Sequence, residues 1–308
     1  MTAILRKELA DYFTSIRFII LFTLMLFVSA GGLRAASEGI RGANLPEGFV
    51  FLGLFTTAGS LIPSVTNLLV LLVPIIGIAL GFDAINSERT GGTLSRILSQ
   101  PLYRDSVING KFLAGVVTLV VMVGASVLLI SGYGLRMIGV PPTAEEVIRL
   151  FMYFVLTIIY GAFWMGLAMM FSILLRRISS SLLISLGIWI FFSIFILLVA
   201  PAIANAFIPT ADATQAELVR NGELARMITR ISPNVLYQEA TAGLLLPMVV
   251  GSLGMLSMSQ VAYMIPNPLS MGQSILLIWP HLTGLVSLSL ICFAASYVLF
   301  MRQEIRAT

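Results

Sequence analysis

The sequence predicts an all-α polytopic membrane protein with six transmembrane helices. Three observations predict it. Hydrophobic residues fill 58% of the 308 positions and charged residues only 10%, where a soluble domain carries about 25% charged residues. The charges are excluded from six long stretches. Basic residues also gather in alternate connections, as the positive-inside rule requires.

The charge-free stretches are Phe18–Leu33, Gly48–Phe82, Phe112–Leu135, Leu150–Leu175, Ile178–Ala211 and Ala240–Met301. A spanning helix needs about 20 apolar residues. The first stretch is short, so Arg17 or Arg34 is expected to snorkel to the headgroups. Arg6, Lys7 and Arg17 ahead of FIILFTLMLFV also outline a signal peptide. The organised helix before that run, and the further spans after it, favour keeping it as a span. The second and fifth stretches exceed one span, and Pro63 and Pro201 set their limits. The last, 62 residues long, is interrupted by Pro247, Pro266, Pro268 and Pro280. It reads as one span preceded by a half-buried or re-entrant segment over Ala240–Tyr263, since irregular backbone at membrane depth needs cover.

In order, the chain is a single membrane domain over 1–308. An amphipathic helix (1–15) leads into span 1 (about 16–33), an outer segment and span 2 (about 63–82). A loop over 83–110 leads to span 3 (about 108–134). Span 4 (about 147–175) turns at Arg176–Arg177 into span 5 (about 180–201). A long outer region (202–273), with re-entrant or interfacial helices, precedes span 6 (about 274–301). Six spans put both termini on one side, with eleven basic and six acidic residues there against seven and eight on the other. That side is therefore the cytoplasm, and the expected location is the cytoplasmic (inner) membrane.

In MTAILRKELADYFTSIRF, Leu5, Leu9, Tyr12, Phe13 and Ile16 recur at steps of three and four. They form one apolar helix face, opposite Arg6, Lys7, Asp11 and Ser15. Such a helix lies in the headgroup plane. In span 2, Gly77 and Gly81 make a G-x-x-x-G, which permits close helix packing, and Pro74 one turn earlier suits a kink or hinge. In the outer region, Leu218, Leu224, Met227, Ile228 and Ile231 give a further amphipathic helix, with a break expected near Asn221–Gly222.

The loop DAINSERTGGTLSRILSQPLYRDSVINGK holds seven of the 32 charged residues. Its Gly110–Lys111 does not make a phosphate loop, which needs G-x-x-x-x-G-K-[ST]. Asp105 stands where the first glycine belongs, and Phe112 where a Ser or Thr would hold magnesium. The residues encode instead a short helix with firm ends. Thr90 or Thr93 caps its start, Leu94, Ile97 and Leu98 make its apolar face, and Pro101 forces its end. Asp105 or Ser106 caps the next helix. Gly91 and Gly92 allow a sharp turn.

Catalytic and metal chemistry find little support. Cys292 is the only cysteine and His281 the only histidine, so neither a disulfide framework nor a histidine metal site is expected, and no Ser/His/Asp or H-E-x-x-H arrangement occurs. The spans hold no charged residue away from their ends. Ion-driven transporters keep such groups in the membrane, so an external energy source is favoured.

The order D-x-I-x-x-E-R-x-x-G-T-L-x-x-[IL]-L-S-x-P-x-x-R-x-x-x-I-x-G-K resembles ABC-2-type permeases, the membrane subunits of ABC exporters. Asp83, Ile85, Glu88, Arg89, Gly92, Thr93, Leu94, Leu98, Ser99, Pro101, Arg104, Ile108, Gly110 and Lys111 supply it. RKELADYFTSIRF and ISPNVLYQEATAGLL (Ile231–Leu245) are similar to further segments of that family. The resemblance implies a non-catalytic subunit that pairs with a second copy and docks on a separate ATPase. The helix after Thr93 would be its coupling helix, with Glu88 and Arg89 holding it in register. ATP and magnesium would sit in the partner, and no cofactor or metal in this chain. The implied partners are the ATPase and a second copy; composition adds the bilayer, the amphipathic helix of the outer region leaves room for an external accessory protein, and no nucleic acid is expected. An assembly factor that recruits an ATPase without transport, and a membrane-embedded enzyme, are the competing readings.

Overall fold

A computed structural model describes residues 2–42, 50–58, 62–93, 103–139, 141–210, 214–246 and 269–302. Every regular element among them is helical. Among the described residues, six helices are long and apolar enough to cross a membrane: Ile16–Ile40, Val65–Thr90, Arg104–Met137, Ala144–Leu174, Ile178–Phe207 and Met271–Arg302. The protein is an all-α, multi-pass membrane protein. The chain divides into two compact units, one of Met1–Leu186 with Val286–Thr308 and one of Gly187–Leu285.

In the first unit, α1 (Thr2–Thr14) is followed almost directly by α2 (Ile16–Gly42). The ordinary end of the first apolar run is Leu33, but Arg34 and Glu38, an i,i+4 pair at 3.6 Å, carry α2 onward. Next comes a short buried helix, α3 (Val50–Thr56), whose Phe51, Leu52, Leu54 and Phe55 are all in the core. A carboxylate from far along the chain fixes its start. Glu146 Oε1 accepts the Phe51 and Leu52 amides at 3.0 and 3.4 Å, while Oε2 accepts the Thr143 amide at 2.8 Å. One buried acid thus satisfies orphan donors at two helix starts, where negative charge is also favoured.

Pro63 ends the preceding loop and Ser64 caps α4 (Val65–Gly81), its hydroxyl accepting the Asn67 amide. The helix α5 (Asn86–Thr90) is a single short piece. The long α6 (Arg104–Ile138) stops at Gly139, whose φ of 73° is left-handed, a conformation glycine adopts without a Cβ penalty. A Thr143–Glu146 capping box then starts α7 (Ala144–Leu174). Helices α4 and α7 form the tightest pair of the unit. A Cβ on Gly77 would lie 2.5 Å from the Gly161 carbonyl oxygen, and one on Gly81 2.4 Å from that of Met165. Tyr160, fully buried, donates from α7 to the Val70 carbonyl at 3.0 Å. Pro74 lies inside α4 and is buried.

The fifth span is α8 (Ile178–Ile190), a π-helical turn at Phe191–Phe195, and α9 (Ile196–Phe207). Pro201, expected to follow this span, lies inside α9 instead. A proline removes one backbone hydrogen bond, and local π adjustment lets a membrane helix absorb the change. In the second unit, Ser232 donates from its hydroxyl to the Phe192 carbonyl within the π turn at 2.8 Å, at the start of α11 (Pro233–Leu245). Before it, α10 (Gln215–Thr229) runs unbroken through Asn221–Gly222. Asn221 is buried and donates to Asn205 Oδ1 at 2.8 Å and to the Ile208 carbonyl at 2.7 Å. That polar anchor, with Gly222 and Ala225, turns Leu218, Met227 and Ile231 outward. The segment expected to be re-entrant is described only through Leu246. The last span is α12 (Met271–Arg302).

Candidate functional site

The charged residues of the first unit converge where α1 meets the root of the 83–110 loop. Lys111, two turns into α6 and almost inaccessible, places its ammonium 2.8 Å from Glu8 and 3.3 Å from Glu88. Lys7 reaches the same two carboxylates at 3.1 and 3.0 Å and Asp11 at 3.2 Å. The hydroxyl of Thr93 donates to the Glu88 carboxylate and, at 3.2 Å, to its carbonyl. Two lysines therefore face two buried acids drawn from α1, α5 and α6. Removing either sign strands the other, and a stranded buried charge costs several kcal/mol.

Neighbouring contacts fix the geometry. Tyr12 donates to the Leu80 carbonyl at 2.9 Å. Burial, followed by the charges of Glu8, Asp83 and Asp11, raises the Tyr12 hydroxyl well above its ordinary value, so it stays a donor. For Lys7, burial works downward. The Glu8 charge and hydrogen bonds to Glu88 and Glu8 outweigh it, holding the ammonium above the usual lysine range. Arg17 pairs with Asp83, its guanidinium 5.4 Å from the centre of the Phe82 ring. Ser172, near the end of α7, accepts the Ile85 and Asn86 amides at 3.0 and 3.1 Å. Beneath these polar contacts lies an apolar cluster of Ile4, Ala84, Ile85, Val107, Ile108, Met169, Ile173 and Phe300. Gly110 makes room for it, since a Cβ there would meet Ile4 at 2.8 Å.

Of the residues singled out in the sequence, Asp83, Glu88, Thr93 and Lys111 enter this junction. Arg89 is half-buried beside it, and Arg104 is the first residue of α6. Gly92 has a φ of 65°, so the glycine pair answers a backbone need. Leu94, Ile97, Leu98 and Pro101 lie outside the described residues. The helix that Thr90 or Thr93 was expected to cap lies outside the described residues; Thr90 itself turns back to the Asn86 carbonyl at 2.9 Å. The cap of α6 differs from expectation. Asp105, already inside α6, accepts the Ser106 amide at 2.8 Å. Sequence reading missed Glu8 and Ser172, and gave Tyr12 only a place on an apolar face. Their partners stand 68 to 103 residues away, beyond the reach of any local pattern.

With this geometry in view, the whole sequence can be compared with known proteins. Residues 2–305 match the family described as ABC-2 family transporter protein. The chain belongs to the ABC-2 transporter family. Among its relatives in that family is a Pseudomonas aeruginosa protein named probable ABC transporter permease protein NosY. It is 30% identical over 195 residues, 61% of this chain and 65% of that one. A protein of the same name from Stutzerimonas stutzeri is 34% identical over 146 residues, 44% of this chain and 48% of the relative. The matched part thus spans less than two thirds of either relative. In this ABC-2 transporter the junction lies where the loop motif, the N-terminal helix and the third span meet.

Proposed function

We propose that the chain is the permease subunit of an ATP-driven ABC exporter. The observation that carries this reading is the Lys7–Glu8–Glu88–Lys111 network at the root of the 83–110 loop, in which Glu8, Glu88 and Lys111 are buried. It makes α1, the loop and the start of α6 one mechanical piece. A docking helix on such a root moves its spans when a partner moves it, whereas a loosely tethered loop would absorb the motion. The loop residues 83–110 form the coupling element, with Leu94, Ile97, Leu98 and Pro101 making the docking helix. Glu88 and Arg89 set its register, Glu88 by inward pairing.

On this reading the ATPase is a separate subunit that holds ATP and magnesium, and this chain carries no catalytic group or cofactor. Two copies assemble in the inner membrane with both termini cytoplasmic. The 202–273 region is external and available to an accessory protein. Pro74, Gly77 and Gly81 make span 2 a closely packed lever. Coupling requires that the ATPase contact the loop differently in its two states.

The test uses the full chain with its ATPase. Glu88→Ala is expected to leave the protein inserted but to reduce capture of the ATPase and cargo-stimulated ATP hydrolysis in liposomes. Unchanged export by a stably inserted Glu88→Ala protein would overturn the assignment. Capture of the ATPase without any cargo response would point to assembly in place of transport.

A further inference from the structure

The connection between the fourth and fifth spans is three residues long. Helix α7 ends at Leu174 and α8 begins at Ile178, leaving Leu175, Arg176 and Arg177. So short a turn between two apolar helices holds its side chains at the membrane boundary. Both arginines are exposed there, next to a half-exposed Leu174.

Ser172 brings a third cation to this place. Its hydroxyl accepts the Ile85 and Asn86 amides, which seats the start of α5, and with it Arg89 one turn on, against the end of α7, just before Arg176. The two guanidinium groups act on one another as like charges. Among the described residues no carboxylate pairs with Arg89, Arg176 or Arg177. Arg17, Arg34, Arg149 and Arg230 each have an acid partner. Glu88, adjacent to Arg89, is committed to the two lysines. Like charges held together without an acid repel each other until an anion joins them.

We propose that Arg89 and Arg176 together bind the phosphate of an acidic phospholipid headgroup. A planar guanidinium presents paired donors that match phosphate oxygens, and juxtamembrane arginines attract anionic lipid. The turn lies at headgroup level, and Leu174, with Leu183 one to two turns into α8, is exposed to receive acyl chains. These features favour lipid over an acidic protein surface. The bound lipid would bridge the root of the 83–110 loop to the fourth and fifth spans, so that membrane composition sets how firmly the loop is held. This assignment is independent of transport and needs no ATPase.

The test is lipid retention by the full chain, measured by native mass spectrometry from nanodiscs of phosphatidylcholine containing phosphatidylglycerol. Wild type is expected to retain phosphatidylglycerol selectively. Arg89→Gln and Arg176→Gln are each expected to lower that retention about fivefold. Arg89→Lys should keep part of it, and Arg302→Gln, an exposed arginine at the end of α12, should keep all of it. Equal retention of the two lipids by wild type overturns the proposal, whatever the variants do. So does unchanged retention in both glutamine variants. Inorganic phosphate that protects the protein in pure phosphatidylcholine as well as phosphatidylglycerol does would make this a free-anion site and overturn the lipid assignment. Unaltered lipid retention with lost ATPase capture would assign the arginines to a protein partner.

Discussion

Lys111 is the residue on which most of the junction depends. It is nearly inaccessible and faces two carboxylates, only one of which Lys7 could neutralise in its absence. Lys111→Met is expected to cost about 3 kcal/mol, the penalty for stranding a buried charge, read as a lowered Tm in detergent. Adding Glu8→Gln should recover part of that loss, because the pair then disappears together. Gly81 is constrained differently. A methyl group there would strike the Met165 carbonyl oxygen, so Gly81→Ala is expected to destabilise by about 2 kcal/mol through overpacking, with lower yield of folded protein. At Glu239 the constraint is electrostatic. Burial would raise its carboxyl, but hydrogen bonds from His281 and Arg230 outweigh burial and lower it. An ionised carboxylate only accepts, so His281 Nε2, 2.6 Å away, carries the proton. A depressed folded value contributes stability above the ordinary 4.5, lost as pH falls through the folded value. Trp279 fluorescence should therefore shift on acidification below 4.5, and Glu239→Gln should abolish that step.

At the scale of elements, α1 shows what a pattern reveals and what it conceals. Its helical period was plain from Leu5, Leu9, Tyr12, Phe13 and Ile16, but its orientation was not. Ile4 and Glu8 are the most buried residues, while Phe13 and Ile16 are exposed. A charged residue never enters a local apolar count, yet Glu8 faces inward because Lys111 is waiting. The same holds for α10, where Asn221 faces inward and the apolar Met227 does not. Long apolar helices were legible because the bilayer imposes length and composition on each one separately. The junction was not, because its partners are joined only by the fold. Besides the ion pairs of Lys7 and Glu8, two contacts seat α1, the Tyr12 hydrogen bond and Ile4 against Gly110. Ile4→Ala with Tyr12→Phe is expected to speed amide hydrogen exchange in α1 at least tenfold, since the lost bond alone contributes about 1 kcal/mol. Exchange within α7 should be unchanged.

For the whole molecule, the six apolar helices among the described residues make the parity of the two ends testable. Glu223 is exposed on α10 and Arg177 is exposed at the α7–α8 turn. With cytoplasmic termini, Glu223→Cys should react with an impermeant thiol reagent on intact cells, and Arg177→Cys only after the cells are opened. The reverse result would invert the topology. Neighbouring Asn221 is a poor reporter because it is buried.

The pairing of Glu8 with Lys111 also has a meaning in time. The two residues are 103 positions apart, and a ribosome makes the first long before the second. While spans 1 and 2 enter the bilayer, the acid on α1 has no permanent cation other than its neighbour Lys7. The N-terminal helix can reach its final seat only after the third span has begun to emerge. Assembly therefore has an order: a nascent chain arrested before residue 111 leaves Glu8 without its buried partner, and the seat of the N-terminal helix stays incomplete until that lysine is made.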